Sequence, residues 1–90
     1  MKQDPRNSTR AELQILEAVV LALERREEVF TAIEGAETQD EARAAVAKLL
    51  GVGEMRARAV LDMQVRRWTQ GERRQITDHI AVLRAELESD

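Results

Sequence analysis

Hydrophobic residues recur with helical spacing over most of the chain. One row near the amino terminus has 3,4,3 spacing and consists of Leu13, Leu16, Val20 and Leu23. A second row near the carboxyl terminus has 4,3,4 spacing and consists of Ile76, Ile80, Leu83 and Leu87. This spacing places apolar side chains on one face of an α-helix, whereas no segment alternates with period two as a half-buried strand does. The pattern predicts an all-α fold.

One signal for the start of a helix, Thr-x-x-Glu, occurs three times. The copies are "TRAE" at Thr9, "TQDE" at Thr38 and "TQGE" at Thr69. In such a capping box the threonine hydroxyl accepts a hydrogen bond from a free backbone N–H of the first turn, and the glutamate reaches back to the threonine N–H. We expect a helix to begin at each copy.

Glycines mark further helix ends. Gly53 can occupy the N-cap position of another helix. The next residue, Glu54, supports this start, because a negative side chain is favourable at the positive end of the helix dipole. Gly35 and Gly51 follow apolar stretches and can end helices in the left-handed conformation. The predicted helices are Arg10–Glu34, Gln39–Leu50, Glu54–Trp68 and Gln70–Leu87.

The first and last of these helices are long and carry the apolar rows of a coiled-coil seam. Two short helices between them can reverse the chain, so we expect an antiparallel helical hairpin with a small two-helix globular tip. Leu13 is expected near Leu87, and Phe30 near Ile76. A helix of about 25 residues is roughly 37 Å long, which predicts an elongated stalk.

Some apolar surface remains beside this seam. On the first helix it comprises Ile15, Val19, Ala22, Val29 and Ile33. The third helix has one apolar face of Ala57, Val60, Leu61, Val65 and Trp68, and nearly opposite it Met55, Ala59 and Met63. Two interpretations follow: the short helices are buried on two sides within one chain, or part of this surface contacts a second copy.

Length and composition narrow the class of protein. The chain's 90 residues are predicted to form a single domain at 9–90, behind a flexible leader at 1–8. Without cysteine it has no disulfide framework or cysteine-based metal site, which suits a cytoplasmic location. The longest apolar run, "AVVLAL", is far shorter than the roughly 20 residues that cross a bilayer. We expect a soluble protein without a membrane partner.

Charge is unevenly distributed. The chain has a net charge of −3, yet Glu54–Arg74 holds six arginines and only three acids. The negative net charge of the chain argues against a dedicated nucleic-acid-binding protein. The arginines can form a solvated face that pairs with carboxylates such as Asp62, bind an acidic protein surface, or make salt-sensitive contacts with DNA phosphates. Those considered for phosphate or acidic-partner contacts are Arg56, Arg66, Arg67, Arg73 and Arg74.

Other candidate chemistry is sparse. His79 is the only histidine, and we expect it on the polar side of the last helix beside Asp78. This position favours a solvated side chain over a metal ligand or a general base. Gly51 and Gly53 lack both the motif and the preceding strand of a phosphate-binding loop. No metal site, catalytic residue or cofactor is predicted.

Three stretches resemble the A subunits of DNA gyrase and topoisomerase IV. "LQILEAVVLAL" is similar to "LHILEGLLKAL" of that family, and "TQDEARAAVAKLLGVGEMRARAVLDM" is similar to "TPAEAREGLMEQFGLSEIQAQAILDM". "AVLDMQVRRWTQGERRQI" is similar to "AILDMRLQRLTGLEREKI". The resemblance is collinear from about Ala11 to Leu87 and is anchored by "LDM", "RRWT" and the helix caps.

This resemblance implies a coiled-coil stalk and globular tip behind the DNA-breaking core of a bacterial enzyme. In that family two tips meet across a two-fold axis and form the exit gate through which the transported duplex leaves. It therefore implies a homodimer, or a complex with the A subunit of a gyrase or topoisomerase IV. The implied tip contacts are Met63, Trp68, Gln70 and Gly71. Trp68 replaces a leucine of the family and Gln70-Gly71 replaces Gly-Leu, so the dimer contact or the choice of partner can differ.

Cleavage of DNA in that family needs a tyrosine nucleophile and acidic residues that hold magnesium, and this chain contains no tyrosine. We therefore do not expect the chain alone to be an enzyme. The main hypothesis is a non-catalytic dimerisation and protein-interaction module. The alternative is a small regulatory or nucleoid DNA-binding protein that uses the basic face from Arg56 to Arg74.

Overall fold

The computed structural model describes residues 5–89, which form five α-helices and one short 3₁₀ helix. The α-helices are α1 (Pro5–Glu24), α2 (Arg26–Glu34), α3 (Gln39–Leu50), α4 (Glu54–Leu61) and α5 (Gln70–Glu88). The 3₁₀ helix, Val65–Arg67, lies between α4 and α5. No strand occurs among the described residues. The all-α prediction is confirmed.

Helix α1 begins earlier than predicted, at Pro5 rather than Arg10. Thr9 therefore lies inside the helix, and its hydroxyl donates to the carbonyl of Pro5 at 3.1 Å. The capping box predicted at Thr9 is wrong. Residues 5–8 of the predicted leader are helical, and residues 1–4 lie outside the described residues.

The other helix signals mostly hold. Thr38 accepts a hydrogen bond from the backbone N–H of Glu41 at 3.1 Å, and Thr69 accepts one from the N–H of Glu72 at 3.2 Å. Gly51 ends α3 in the left-handed conformation with φ of 68°. Gly35 also follows the end of a helix, but at φ of −77° it is right-handed, so its predicted left-handed role is wrong. The two remaining capping threonines and Gly51 are confirmed, but the carboxylate of Glu41 accepts from the N–H of Glu37 at 2.9 Å rather than from that of Thr38.

The long first helix of the prediction is broken at Arg25, where φ is −116° and ψ is 35°. The Arg25 guanidinium donates to both carboxylate oxygens of Glu28, at 3.0 and 2.6 Å, and to the carbonyl of Leu49 at 2.9 Å. That carbonyl lies in the last turn of α3, where helical partners run out. The break turns α2 toward α3, and Arg25 ties the junction to the end of α3.

Hydrogen bonds from Arg25 also hold the pKa of Glu28 below its ordinary value. A lowered carboxyl pKa in the folded state stabilises the fold above the unfolded pKa, and this contribution is lost as the pH falls through the folded pKa. The junction between α1 and α2 therefore weakens in acid.

The predicted third helix, Glu54–Trp68, is also shorter than expected. Helix α4 ends at Leu61, and Gln64 is extended at φ of −65° and ψ of 143°. The N–H of Trp68 then donates to the carbonyl of Val65 at 2.9 Å. No glycine or proline lies between Leu61 and Trp68 to mark this end. The sequence pattern therefore predicts a helix that continues to Trp68.

Helices α1 and α5 pack against each other in opposite directions. Arg6 near the start of α1 donates to the carbonyl of Leu87 at 2.6 Å, and Glu24 at its end pairs with Arg73 at 3.2 Å. Between these ends His79 Nε2 lies 3.0 Å from a carboxylate oxygen of Glu12, and Arg84 pairs with Glu17 at 2.7 Å. The contacts at the two ends of α1 give the antiparallel order of the helices, and the two inner contacts join their surfaces between them.

A single core fills the space between the helices. The side chains with no exposed surface are Ala22, Val29, Val46, Ala57 and Val60. Helix α1 packs against α4 as well as α5, so much of its second apolar row is covered within the chain. This supports the intrachain interpretation for Val19 and Ala22. Ile15, in the same row, remains 37% exposed.

We expect the threonines of the three Thr-x-x-Glu segments to respond differently to alanine. Thr38→Ala and Thr69→Ala should each lower the free energy of unfolding by about 0.5–2 kcal/mol, the usual cost of losing an N-cap side chain. Thr9→Ala is the matched control and should cost less, because alanine is the better residue inside a helix. Urea denaturation followed by circular dichroism measures all three. Equal losses would mean that Thr9 caps α1 after all.

We expect adjacent residues of α5 to show the orientation of the core. Leu83 is 5% exposed and Val82 is 53% exposed. Leu83→Ala should cost about 2–5 kcal/mol through lost burial and the cavity left behind. Val82→Ala should change the free energy of unfolding by less than about 0.5 kcal/mol, as at most surface sites. Denaturation curves that overlay for the two variants would contradict the packing of α5 described above.

Candidate functional site

The connection between α4 and α5, residues 62–69, is the strongest candidate for a functional surface, and we call it the α4–α5 turn. Its backbone is tied down by local hydrogen bonds. The N–H groups of Asp62 and Met63 donate to the carbonyls of Arg58 and Val60 at 2.9 and 3.2 Å. The N–H of Arg67 donates to the carbonyl of Gln64 at 2.9 Å. A turn held in this way presents its side chains in fixed directions.

Trp68 anchors the turn from beneath. Its side chain is only 7% exposed, and its ring lies 5.0 Å from the ring of Phe30, with the two planes tilted by 37°. The sequence placed Phe30 near Ile76 and Trp68 at the contact with a partner. In the structure most of the indole surface packs within the chain, so Trp68 fixes the position of the turn and leaves little surface for a partner.

Val65 is the residue that the sequence analysis missed. The sequence pattern predicts Val65 on the inward apolar face of a continuous third helix. Because α4 ends at Leu61, the Val65 side chain is instead 78% exposed. A single exposed valine is ordinary on a protein surface, and it indicates a contact only where it adds to a larger apolar patch. Only the three-dimensional course of the chain after Leu61 makes it visible.

An apolar groove runs beside the turn, between α1, α4 and α5, and we call it the α4–α5 groove. Its floor and walls consist of Ile15, Leu16, Val19, Ala59, Met63 and Ile76. Among the described residues, Asp62 and Arg67 are the charged side chains that line it. The half-buried Met63 belongs both to this groove and to the core beneath it. Val65 does not line the groove itself, but it lies two residues from Met63 and two from Arg67, which do.

The remaining predicted contacts are dispersed. Gln70 lines a separate polar depression on α5 together with Arg73 and Arg74. Gly71 lies in the first turn of α5, where an added Cβ would meet only the Thr69 hydroxyl at 3.9 Å. Packing among the described residues therefore does not require glycine at position 71.

The arginines of the basic segment have different partners. Arg67 pairs with Glu72 at 3.4 Å and Arg73 with Glu24 at 3.2 Å. Arg56 and Arg66 donate to the neutral amides of Gln14 and Gln64, at 3.2 and 2.6 Å. Arg74 has no ion pair among residues 5–89. Of the five, Arg73 and Arg74 line the same polar depression on α5.

The described residues give little support for a metal site. His79 lies on the exposed side of α5, and its Nε2 is 3.0 Å from a carboxylate oxygen of Glu12. Within residues 5–89 no three acidic, histidine or cysteine side chains are grouped so that they could hold a metal ion. None of the described helices is both long and apolar enough to span a membrane.

Known proteins similar to the chain include the A subunits of bacterial DNA gyrases. That of Mycobacterium tuberculosis is 44% identical over 73 residues, which are 81% of this chain but only 9% of that protein. That of Campylobacter jejuni is 35% identical over 78 residues, which are 87% of this chain and 9% of that protein. No family model matches the chain. The similarity thus covers most of this chain and about a tenth of each relative.

We expect alanine substitutions in the turn to separate its anchor from its exposed surface. Trp68→Ala should lower the free energy of unfolding by about 3–5 kcal/mol, because a large buried side chain is lost. Val65→Ala, three residues earlier, should change it by less than about 0.5 kcal/mol. Urea denaturation at one low protein concentration is the measurement. A large loss from Val65→Ala would place that side chain in the core and contradict the observed end of α4.

Proposed function

We propose that this chain, which is related by sequence to one segment of the DNA gyrase A subunit, is a non-catalytic association module of the exit-gate type. The observation that carries the proposal is the α4–α5 turn, where Val65 is 78% exposed, Met63 and Arg67 on either side of it line an apolar groove, and the buried Trp68 packs against Phe30. In gyrase and topoisomerase IV, the resembling segment of each A subunit is the tip at which two copies meet. The same segment here has the features that such a contact requires.

In this proposal α1 and α5 form the base of a coiled-coil stalk, and α2, α3, α4 and the α4–α5 turn form the tip. The antiparallel order of α1 and α5 and the ion pairs between them support it. Most of the apolar surface of the tip is covered within the chain. The large apolar side chains that stay exposed on the tip are Phe30, Met55 and Val65, and of these the proposal assigns Val65, together with the groove, to the partner.

The proposal assigns no DNA cleavage to the chain itself. The chain has no tyrosine and spans 9% of the Mycobacterium tuberculosis relative, so the nucleophile and magnesium site of the family would lie in other segments or other subunits. The proposed partner is a second copy; the A subunit of a gyrase or topoisomerase IV is a further candidate through the same tip. We place this module in the bacterial cytoplasm.

Burial of the exposed apolar groups supplies the driving force for association. Removing apolar area from water stabilises a contact by roughly 25 cal/mol per Å² before the cost of immobilising the partners. A contact that buries Val65 and the groove behind a polar rim matches the usual anatomy of an interface. The contact must also be self-complementary if the partner is an identical copy.

Support for the DNA-binding alternative is weaker. Carboxylates of the chain lie beside two of its five arginines, Arg67 and Arg73, and offset part of the positive charge that a phosphate backbone would meet. The acidic total charge opposes the approach of a phosphate backbone. Any contact of the remaining arginines with DNA would be non-specific and salt-sensitive.

We expect the chain to form a dimer and Val65→Glu to weaken it. The new carboxylate would be buried in the contact twice, once from each copy, and an unpaired buried charge is costly. Val82→Glu introduces the same charge on α5, away from the turn, and serves as the matched control. Size exclusion coupled to light scattering, at tens of micromolar and on dilution, measures all three proteins.

A monomeric parent at these concentrations would refute self-association. If it also bound labelled duplex DNA tightly at moderate salt, the DNA-binding alternative would replace the proposal. A dimer weakened by Val82→Glu but not by Val65→Glu would move the contact from the turn to α5.

A further inference from the structure

We infer that the α4–α5 groove of one chain receives Val65 of a second copy, and that Asp62 of each copy pairs with Arg67 of the other. This inference rests on the proposed function, because it names the contacts by which two tips associate. It also goes further, since it assigns the occupant of the groove and the charges that select it.

The exposed Val65 lies within the chain segment that forms one side of the groove. Val65 lies in the 3₁₀ helix between Met63 and Arg67, and both of these neighbours line the groove. A two-fold axis beside the turn therefore brings the projecting Val65 of each copy toward the groove of the other. Such a reciprocal contact is the isologous arrangement of a symmetric dimer.

The charges at the groove favour a second copy over other occupants. Asp62 and Arg67 both line the groove and have opposite signs. A two-fold axis between two such groups places each Asp62 opposite the Arg67 of the second copy. A polyanion such as DNA would meet the carboxylate of Asp62 in the same place, and an acidic peptide would be repelled in the same way.

Both charged side chains are available for this exchange. Asp62 is held within the chain by a long pair with Arg58 at 3.8 Å, and Arg67 by a pair with Glu72 at 3.4 Å. All four side chains of these two pairs retain access to solvent. Surface pairs of this kind contribute little to stability, so giving them up costs the monomer little. Opposite charges that face each other across an interface fix its register and disfavour partners with like charges there.

Charge reversal tests the pairing directly. Asp62→Arg places two arginines opposite each other at both positions of a dimer, and Arg67→Asp places two aspartates there. Each variant alone should self-associate at least about tenfold more weakly than the parent, since facing like charges are strongly unfavourable. In an equimolar mixture of the two variants, every facing pair is again of opposite sign. The mixture should therefore form a heterodimer.

Native mass spectrometry distinguishes the heterodimer from both homodimers by mass, and sedimentation velocity gives the dissociation constants. Asp78→Arg, a charge reversal on α5 outside the groove, is the matched control and should dimerise like the parent. Circular dichroism and the emission of Trp68 check that each variant is folded. Asp62→Lys and Arg67→Glu form an equivalent pair if either first choice fails to fold.

The outcomes separate this inference from the proposal beneath it. A monomeric parent would overturn the proposed function itself. A dimeric parent that neither reversal weakens would overturn only the assignment of the groove, leaving association through another surface. Two weakened variants that stay monomeric when mixed would show that Asp62 and Arg67 do not face each other.

Discussion

The structure depends on the packing of α1, whose apolar surface is too wide for one neighbouring helix to cover. Helix α5 packs along one part of it, and α4 packs along another. Ala22 on α1 and Ala57 on α4 are both fully buried, and such small side chains allow two helices to approach closely. The position of the α4–α5 turn follows, because the two helices it joins are both fixed against α1.

Two local features then shape the region around α2 and the α4–α5 turn. The Arg25 side chain ties the broken junction of α1 and α2 to the end of α3, which turns α2 away from the axis of α1. Phe30 on α2 thereby meets Trp68, and the buried indole supports the turn from inside. The exposed valine above it is held by the same packing that stabilises the core. The packing of Trp68 thus contributes both to the stability of the core and to the surface proposed for association.

This arrangement explains how a small chain can keep an apolar contact surface without exposing its core. Residues that the family resemblance assigns to the tip divide into two roles in this structure. Trp68 belongs to the interior, whereas Met63 connects the interior to the groove. The charges of Asp62 and Arg67 at the groove give the surface a polarity that an identical copy can complement. Related tips with other charges at these positions would be poor partners, which is a physical route to choosing between similar proteins.

The sequence by itself determined the helical class, the bounds of α3, the starts of α4 and α5, and the capping roles of Thr38, Thr69 and Gly51. These follow from local chemistry, since a hydroxyl or a glycine acts within one turn of its own position. Tertiary packing decided the break at Arg25 and the end of α4 at Leu61, where no local signal interrupts the helical pattern. It also decided which apolar side chains are covered, because the inward position of Trp68 and the outward position of Val65 depend on where distant helices lie.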